Sequence, residues 1–452
     1  MKQHIDDRGR ATADRRMWWP LMLLLPSCVL AMVLLLAGPV ASQPEQVQPA
    51  ASGGGEYAPP ADQLTETERT RIEQMIAGNV TRLAAEGRLP AARGAVALGW
   101  PLTPRDGFSD PGYHGVTNYV DHQSAYPNQV LDFACGRRTY DSSSGYNHKG
   151  TDYYLWPFAW NKMAAGDVRV VAAAAGVIVG RHEGNPDQSC SFNSNSWNAV
   201  YVRHADGSVA WYGHLKRGSV TPKAVGAPVA AGEYLGLVGS SGNSTGPHLH
   251  FELYSGGQLI DPYAGGCYAP PGGSWWAQQR EYYDSAINKL TTGPAAVAWS
   301  TCPSPDTPNE ATQFQPGNRI YFTTYYRDQL AGQSSLYRIY APNGTIYAQW
   351  THSSSQPHYA LSYWWWAFDF GPSAMNGTWR FSVEYQGRTY THSFVVGQPS
   401  TATPTVTATP TATATLRPTA TATPTATPTV TPSVTPAVFD PAWYVFVPAM
   451  AK

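Results

Sequence analysis

The chain has 452 residues, too many for one compact core and enough for two or three domains. Its formal net charge of −1 gives no basic excess, so no nucleic-acid partner is expected. Only 13% of residues are charged, whereas Gly (42), Pro (38), Trp (16) and Tyr (27) are plentiful, which argues against a cytosolic helical protein and for an extracellular, strand-rich one.

Arg8, Arg10, Arg15 and Arg16 precede an apolar run from Met17 to Gly38, and Pro39-Val40-Ala41-Ser42 supplies small residues suited to cleavage. Residues 1–42 therefore read as a signal peptide or, because the run is long enough to span a bilayer, as an uncleaved membrane anchor. Either reading puts the remainder outside the cytoplasm, secreted or held in the cell envelope. Residues 43–60, polar and rich in Gly and Pro, read as a linker. Within 61–90, Thr65 and Glu68 have capping-box spacing, and Ile72, Met75, Ile76, Val80 and Leu83 recur at helical intervals up to Gly87 and Pro90. Such a helix suits a docking spacer or a prosegment over an active site.

From 91 to 267 the pattern changes to short β-rich runs. Val168–Ile178, Ala199–His204, Ser208–His214 and Tyr234–Val238 read as strands, the second and third joined by an Ala205-Asp206-Gly207 turn. In 268–294 a second helix is expected from Trp275 to Leu290. Residues 295–397 alternate apolar and polar positions, with Asn343-Gly344 and Gln386-Gly387 as hairpin turns, and read as an immunoglobulin-like β-sandwich. Trp364-Trp365-Trp366 lies inside it, and three consecutive strand residues cannot all face one side. Residues 398–437, almost all Thr, Pro and Ala, form a disordered stalk, and 438–452 a C-terminal tag too short to cross a membrane. The fold class is thus mainly β, with one short N-terminal helix ahead of two β-domains. Cys28 sits in the apolar run; Cys135, Cys190, Cys267 and Cys302 form an even set without C-x-x-C spacing, hence two disulfides with three pairings open.

Three elements carry chemistry: His148-Lys149-Gly150-Thr151-Asp152, Tyr212-Gly213-His214-Leu215, and a Ser/Gly-rich turn from Ser240 leading into His248-Leu249-His250-Phe251-Glu252. Strand alternation puts His248 and His250 on one face, with Leu249 and Phe251 turned into the core. Imidazole and carboxylate suit zinc, and a catalytic zinc takes three protein ligands and leaves one position for water. Five candidate groups exceed that count, which frees two histidines for acid–base work. Glu252 reads as a structural strand carboxylate, and His182, His204, His352, His358 and His392 as surface or turn residues. With 12 histidines, an H-x-H arises by chance in roughly a third of such chains; the joint occurrence in order is what counts.

Here the sequence resembles the lysostaphin/LytM-type, or β-lytic, family of zinc metallopeptidases. Gly145 to Asp152 looks like its first motif, Val171 to Val179 like the following strand and turn, Trp211 to Leu215 like its middle-histidine motif, and Gly239 to Leu253 like its most specific signature. The resemblance implies a two-sheet antiparallel domain with a groove over one Zn2+ per chain. It implies His148, Asp152 and His250 as metal ligands and His214 and His248 as the catalytic pair. It also implies peptidoglycan as substrate, peptide cross-links or stem peptides being hydrolysed by a zinc-activated water, in a monomer. Tyr140 or Tyr146 would add a phenol donor. The insertion Tyr153–Asp167 departs from many members and is expected to line or flank the groove. On sequence order and this resemblance, Cys135 pairs with Cys190 and Cys267 with Cys302. Two other readings remain: a non-catalytic member that regulates or scaffolds other hydrolases, and an adhesin built on the sandwich.

Overall fold

The computed structural model describes residues 47–91 and 94–398; the signal or anchor segment, the stalk and the tag lie outside them. In chain order the elements are β1 (Ala51–Glu56), α1 (Glu66–Ala85), β2 (Leu102–Pro104), β3 (His114–Asn118), β4 (Thr151–Leu155), α2 (Ala159–Ala165), β5 (Val168–Val171) and β6 (Gly176–His182). There follow β7 (Ala199–His204), β8 (Val209–Gly213), β9 (Pro228–Val229), β10 (Tyr234–Leu237), β11 (His248–Ser255), β12 (Gln258–Leu259) and β13 (Ala286–Gly293). The last are β14 (Gln313–Phe314), β15 (Arg319–Leu330), β16 (Ser334–Tyr340), β17 (Ile346–Ser353), β18 (His358–Asp369), β19 (Gly377–Tyr385) and β20 (Arg388–Val396). The protein is mainly β.

One antiparallel sheet runs β3-β4-β11-β8-β7-β6-β9, with β12 on β11, and a smaller one runs β10-β5-β2. Leu249, Phe251 and Leu253 of β11 point into a core shared with Tyr212, Val200, Val202 and Ile178. Val168–Ile178, expected as one strand, is split between β5 and β6, which belong to different sheets. Helix α1 begins as its capping box dictates, the Thr65 side chain accepting from the Glu68 N–H. Its Ile72, Ile76 and Leu83 pack on Val177, Val179, Tyr201 and Trp211.

The C-terminal strands, joined by β1 from the N-terminal side, form two facing sheets, β1-β18-β15-β13 and β14-β20-β19-β16-β17. Alternate residues of both, among them Phe322, Tyr326, Trp366 and Phe368 from one and Tyr337, Ile339, Phe381 and Phe394 from the other, make a common core. Trp366 points inward, whereas Trp365 faces the opposite way, where β1 crosses it. A Cβ on Gly53 would lie 2.6 Å from the Trp365 ring, so the close crossing needs glycine there.

Three further expectations are corrected. Residues 51–56, read as part of a linker, form β1 and pair with β18 from Ala51↔Ala367 to Glu56↔Ser362. The helix expected over Trp275–Leu290 is absent, and Ala286–Gly293 is strand β13 on β15. A register shift between Ile287 and Lys289 brings Ile287 and Leu290 into the same core, which imitates helical spacing. Within the insertion Tyr153–Asp167, Tyr153, Trp156 and Phe158 are buried and the Trp156 indole N–H donates to Tyr326 O at 2.9 Å, while Tyr154 pairs with His248 beside the candidate site. The disulfides are Cys135–Cys267 and Cys190–Cys302. Tertiary contacts, not sequence order, decide them. The Cys267 N–H donates to Phe133 O (2.9 Å), and the Ser189 N–H beside Cys190 donates to Ser240 O (3.0 Å).

Lys162 of α2 is buried, 3.6 Å from Asp110, and burial pulls its pKa down to about 8 from 10.5. Between these values the unfolded chain holds a proton that the folded chain has released, so stability rises with pH across that window; below pH 8 the full cost is present. Lys162→Met is expected to raise stability at pH 7 by about 1–3 kcal/mol and to flatten the rise between pH 8 and 10.5. Melting temperatures at pH 7 and 9.5 check this, and an unchanged pH difference would refute it.

Candidate metal centre

Strand β11 is flanked by β4 and β8, and the register sets His250 opposite Asp152 on one side and Gly213 on the other. His248, His250 and Glu252 share the face away from the core. His148 lies four residues before Asp152, and Gly150 between them makes room: a Cβ there would sit 2.6 Å from His250 Nε2. His214 leaves β8 with a left-handed φ of 60°, a strained geometry of the kind proteins keep where a side chain must be aimed. All five histidine and aspartate side chains anticipated from the motifs are brought together, and all are buried.

The ring nitrogens are sorted by their outer partners. His148 Nδ1–H donates to Tyr119 O (2.7 Å), His214 Nδ1–H to Ser241 O (2.6 Å), His248 Nδ1–H to Gly246 O (2.8 Å) and His250 Nε2–H to Glu252 Oε1 (2.9 Å). The remaining nitrogen of each ring faces one small space. His148 Nε2 lies 3.3 Å from His250 Nδ1 and 3.1 Å from Asp152 Oδ2, and His250 Nδ1 lies 2.9 Å from Asp152 Oδ1. Asn118 Nδ2 donates to Asp152 Oδ2 (2.9 Å) and holds that carboxylate. His214 and His248 lie alongside, their ring centroids 4.6 Å apart.

A sixth group has no motif to announce it. Asp62, in the run Pro59-Pro60-Ala61-Asp62-Gln63, is fully buried in the centre, with Oδ2 3.0 Å from His214 Nε2 and 3.2 Å from His250 Nδ1. Two overlapping sets of ligand atoms result, Asp62-His148-Asp152-His250 and Asp62-His214-His248-His250, each within 4.8 Å. The Tyr140 hydroxyl donates to the Asp62 carboxylate and stacks on His148 at 4.6 Å. Tyr146 is buried but does not reach the cluster through its hydroxyl, which has no partner among the described residues.

Asp62 is delivered by a strap. Tyr57 packs against Trp156 and Trp299 (ring centroids 4.9 and 4.8 Å). Residues 61–63 then run antiparallel to 243–245: the Gln63 N–H donates to Asn243 O (3.1 Å) and the Thr245 N–H to Ala61 O (3.0 Å). His204, expected at the surface, is instead buried, with its Nδ1–H on Ala175 O (3.0 Å) and its Nε2 without a partner among the described residues.

Burial works to raise Asp62, yet the facing His250 and His214 hold its carboxyl well below the ordinary range. Burial likewise opposes ionisation of Asp152, and His148 overrides it. Burial pushes His248 down to about 4 despite Asp152 nearby. The donor set fits a zinc ion: two imidazole lone pairs and a carboxylate converge, and nitrogens 3.3 Å apart match the edge of a tetrahedron with Zn–N near ~2.0–2.1 Å.

Residues 146–262 match the description of peptidase family M23. This segment is an M23 peptidase domain. The DD-carboxypeptidase/endopeptidase Mpg of Neisseria meningitidis serogroup B is 37% identical over 107 residues, 23% of this chain and 24% of that one. The peptidoglycan DD-endopeptidase ShyC of Vibrio cholerae serotype O1 is 34% identical over 115 residues, 25% and 22% of the two chains. The murein hydrolase activator EnvC of Escherichia coli K12 is 40% identical over 63 residues, 14% of each. The chain spans about a quarter of the length of the first two relatives. A solved zinc-containing peptidase from Vibrio cholerae is 21% identical over 37% of this chain and 39% of that one, with a TM-score of 0.24. His148, Asp152, His214, His248 and His250 fall inside the M23 segment, and Asp62 falls outside it.

Proposed function

We propose that this chain is an exported zinc metalloendopeptidase that hydrolyses peptide bonds of peptidoglycan. The observation that carries the reading is the convergence of His148 Nε2, Asp152 and His250 Nδ1 with His214 and His248 alongside. The names of the M23 relatives supply the substrate class. The two disulfides favour an oxidising, extracytoplasmic setting. Among the described residues no helix is long and apolar enough to cross a membrane.

In this reading His148, Asp152 and His250 hold the zinc ion, which would supply a water of lowered pKa and polarise the scissile carbonyl. His248, anchored through Nδ1–H to Gly246 O, takes the proton of the attacking water and returns it to the leaving amine. His214, anchored to Ser241 O, steadies the developing oxyanion; the pair can exchange these roles. An extended substrate would pair with Asn243–Thr245 as residues 61–63 do. Asp62 then occupies the position that water and substrate need, so the described conformation is a latent one and the strap must withdraw before turnover.

The test is incubation of the chain, and of Asp62→Ala, with muropeptides of differing cross-bridge, read by mass spectrometry beside His250→Ala. Products carrying one added water, absent from the His250→Ala digest, are expected. The similarity to a murein hydrolase activator keeps a second reading, a non-catalytic regulator of other hydrolases. It predicts no stoichiometric zinc and no cleavage by any of the three proteins.

A further inference from the structure

Helix α1 precedes the M23 segment, yet one of its residues is tied to the carboxylate that holds His250. Along its buried face, in step with Ile72, Ile76 and Leu83, stands Arg69, only 2% exposed. A guanidinium on an apolar helix face is costly to bury unless it is fully paired. Its partner is Glu252 of β11: Nη1 to Oε2 is 2.6 Å and Nη2 to Oε1 is 2.8 Å, a two-pronged clasp. The Tyr254 hydroxyl also donates to Oε2 (2.6 Å), and the guanidinium, whose Nε has no partner among the described residues, lies 5.6 Å from the centroid of Trp211.

Glu252 Oε1, held by that clasp, is the atom that accepts the His250 Nε2–H at 2.9 Å. A carboxylate free to rotate would give that imidazole no fixed orientation. Clasped from the far side, it keeps Nε2–H turned outward and Nδ1 turned toward His148 and Asp152. Outer partners of ligand imidazoles set ring orientation and basicity in this way.

We propose that Arg69 is a positioning residue of the metal centre, acting through Glu252 to aim His250 Nδ1 at the ion. This rests on the reading that His148, Asp152 and His250 hold a zinc ion. It also divides the N-terminal segment by role. The strap from Tyr57 to Gln63 has to move, whereas α1 stays docked in the working enzyme.

The readout is zinc affinity of the full chain, measured by competition with a chromophoric chelator, together with the visible bands of the cobalt(II)-loaded protein. Arg69→Leu is expected to bind zinc about 10- to 100-fold more weakly and to change the cobalt bands. Arg69→Lys, a cation without the fork, is expected to recover part of the loss. In a Glu252→Gln background, Arg69→Leu should add less than about 3-fold, because the route through Glu252 is already cut. Ile76→Ala, on the same face, should lower the melting temperature and leave zinc affinity unchanged. If Arg69→Leu does not fold, Arg69→Lys carries the test with an expected weakening of about 3- to 10-fold. Folded Arg69 variants that bind zinc within twofold of the parent would overturn the proposal. So would an Ile76→Ala variant whose zinc affinity falls equally, since that is what mere helix docking predicts. A parent chain that binds no zinc would remove the metal reading itself, and this inference with it.

Discussion

Asp62→Ala is expected to hydrolyse peptidoglycan at least ~10-fold faster than the parent chain while still binding one zinc ion. The Asp62 carboxylate is buried against His214 and His250, and a metal held by His148, Asp152 and His250 would find its fourth position taken. Removing one partner from such a buried charged set costs about 2–5 kcal/mol. That is enough to move a closed-to-open ratio by roughly 30-fold to several thousandfold. On either side of the strap β1 would stay paired with β18 and α1 packed through Ile72, Ile76 and Leu83, so the variant should stay folded. Acetohydroxamate, a small anion that needs the free metal position, gives a reading independent of turnover. It should bind the variant at least ~10-fold more tightly than the parent. Unchanged turnover together with unchanged hydroxamate binding would show that Asp62 does not guard the centre.

The two halves of this centre differ in how they could be read from sequence. His248 and His250 were legible as neighbours on one face from strand alternation, whereas the choice of His148, Asp152 and His214 as their partners rested on the resemblance of their motifs; the register of β11 on β4 sets His250 opposite Asp152. Asp62 and Arg69 were legible by neither route. Each reaches the site through tertiary packing, one from a Pro-rich run and the other from the apolar stripe of a helix whose amphipathic pattern gives no hint of a pairing partner. Strand β1 was hidden for a related reason: Gly53 and Gly54 carry no strand propensity, but nothing larger would fit over Trp365 and Trp364. The disulfides joined cysteines 132 and 112 residues apart, where neighbouring turns rather than neighbouring sequence positions determine the partners. In the insertion after Asp152, Trp156 and Phe158 pack on Tyr325 of β15 while Tyr154 stacks on Tyr57 of the strap, a division that the aromatic run itself does not announce.

The histidines should separate into two classes when replaced one at a time. His148→Ala and His250→Ala each remove an imidazole whose bare nitrogen faces Asp152, so zinc affinity should fall by at least ~10³-fold and hydrolysis with it. His248→Ala should keep zinc within a few-fold of the parent and still lose roughly 10²- to 10⁴-fold in rate, because proton transfer fails while the metal stays. His214→Ala has two opposing effects. It removes a group proposed to steady the oxyanion, which lowers the rate constant, but it also removes one of the two histidines that hold Asp62, which loosens the strap. Its signature is therefore slower turnover combined with tighter acetohydroxamate binding, a combination that a simple ligand loss cannot produce. Zinc lost from His248→Ala, or retained at full affinity by His250→Ala, would reverse the assignment of ligands and acid–base groups.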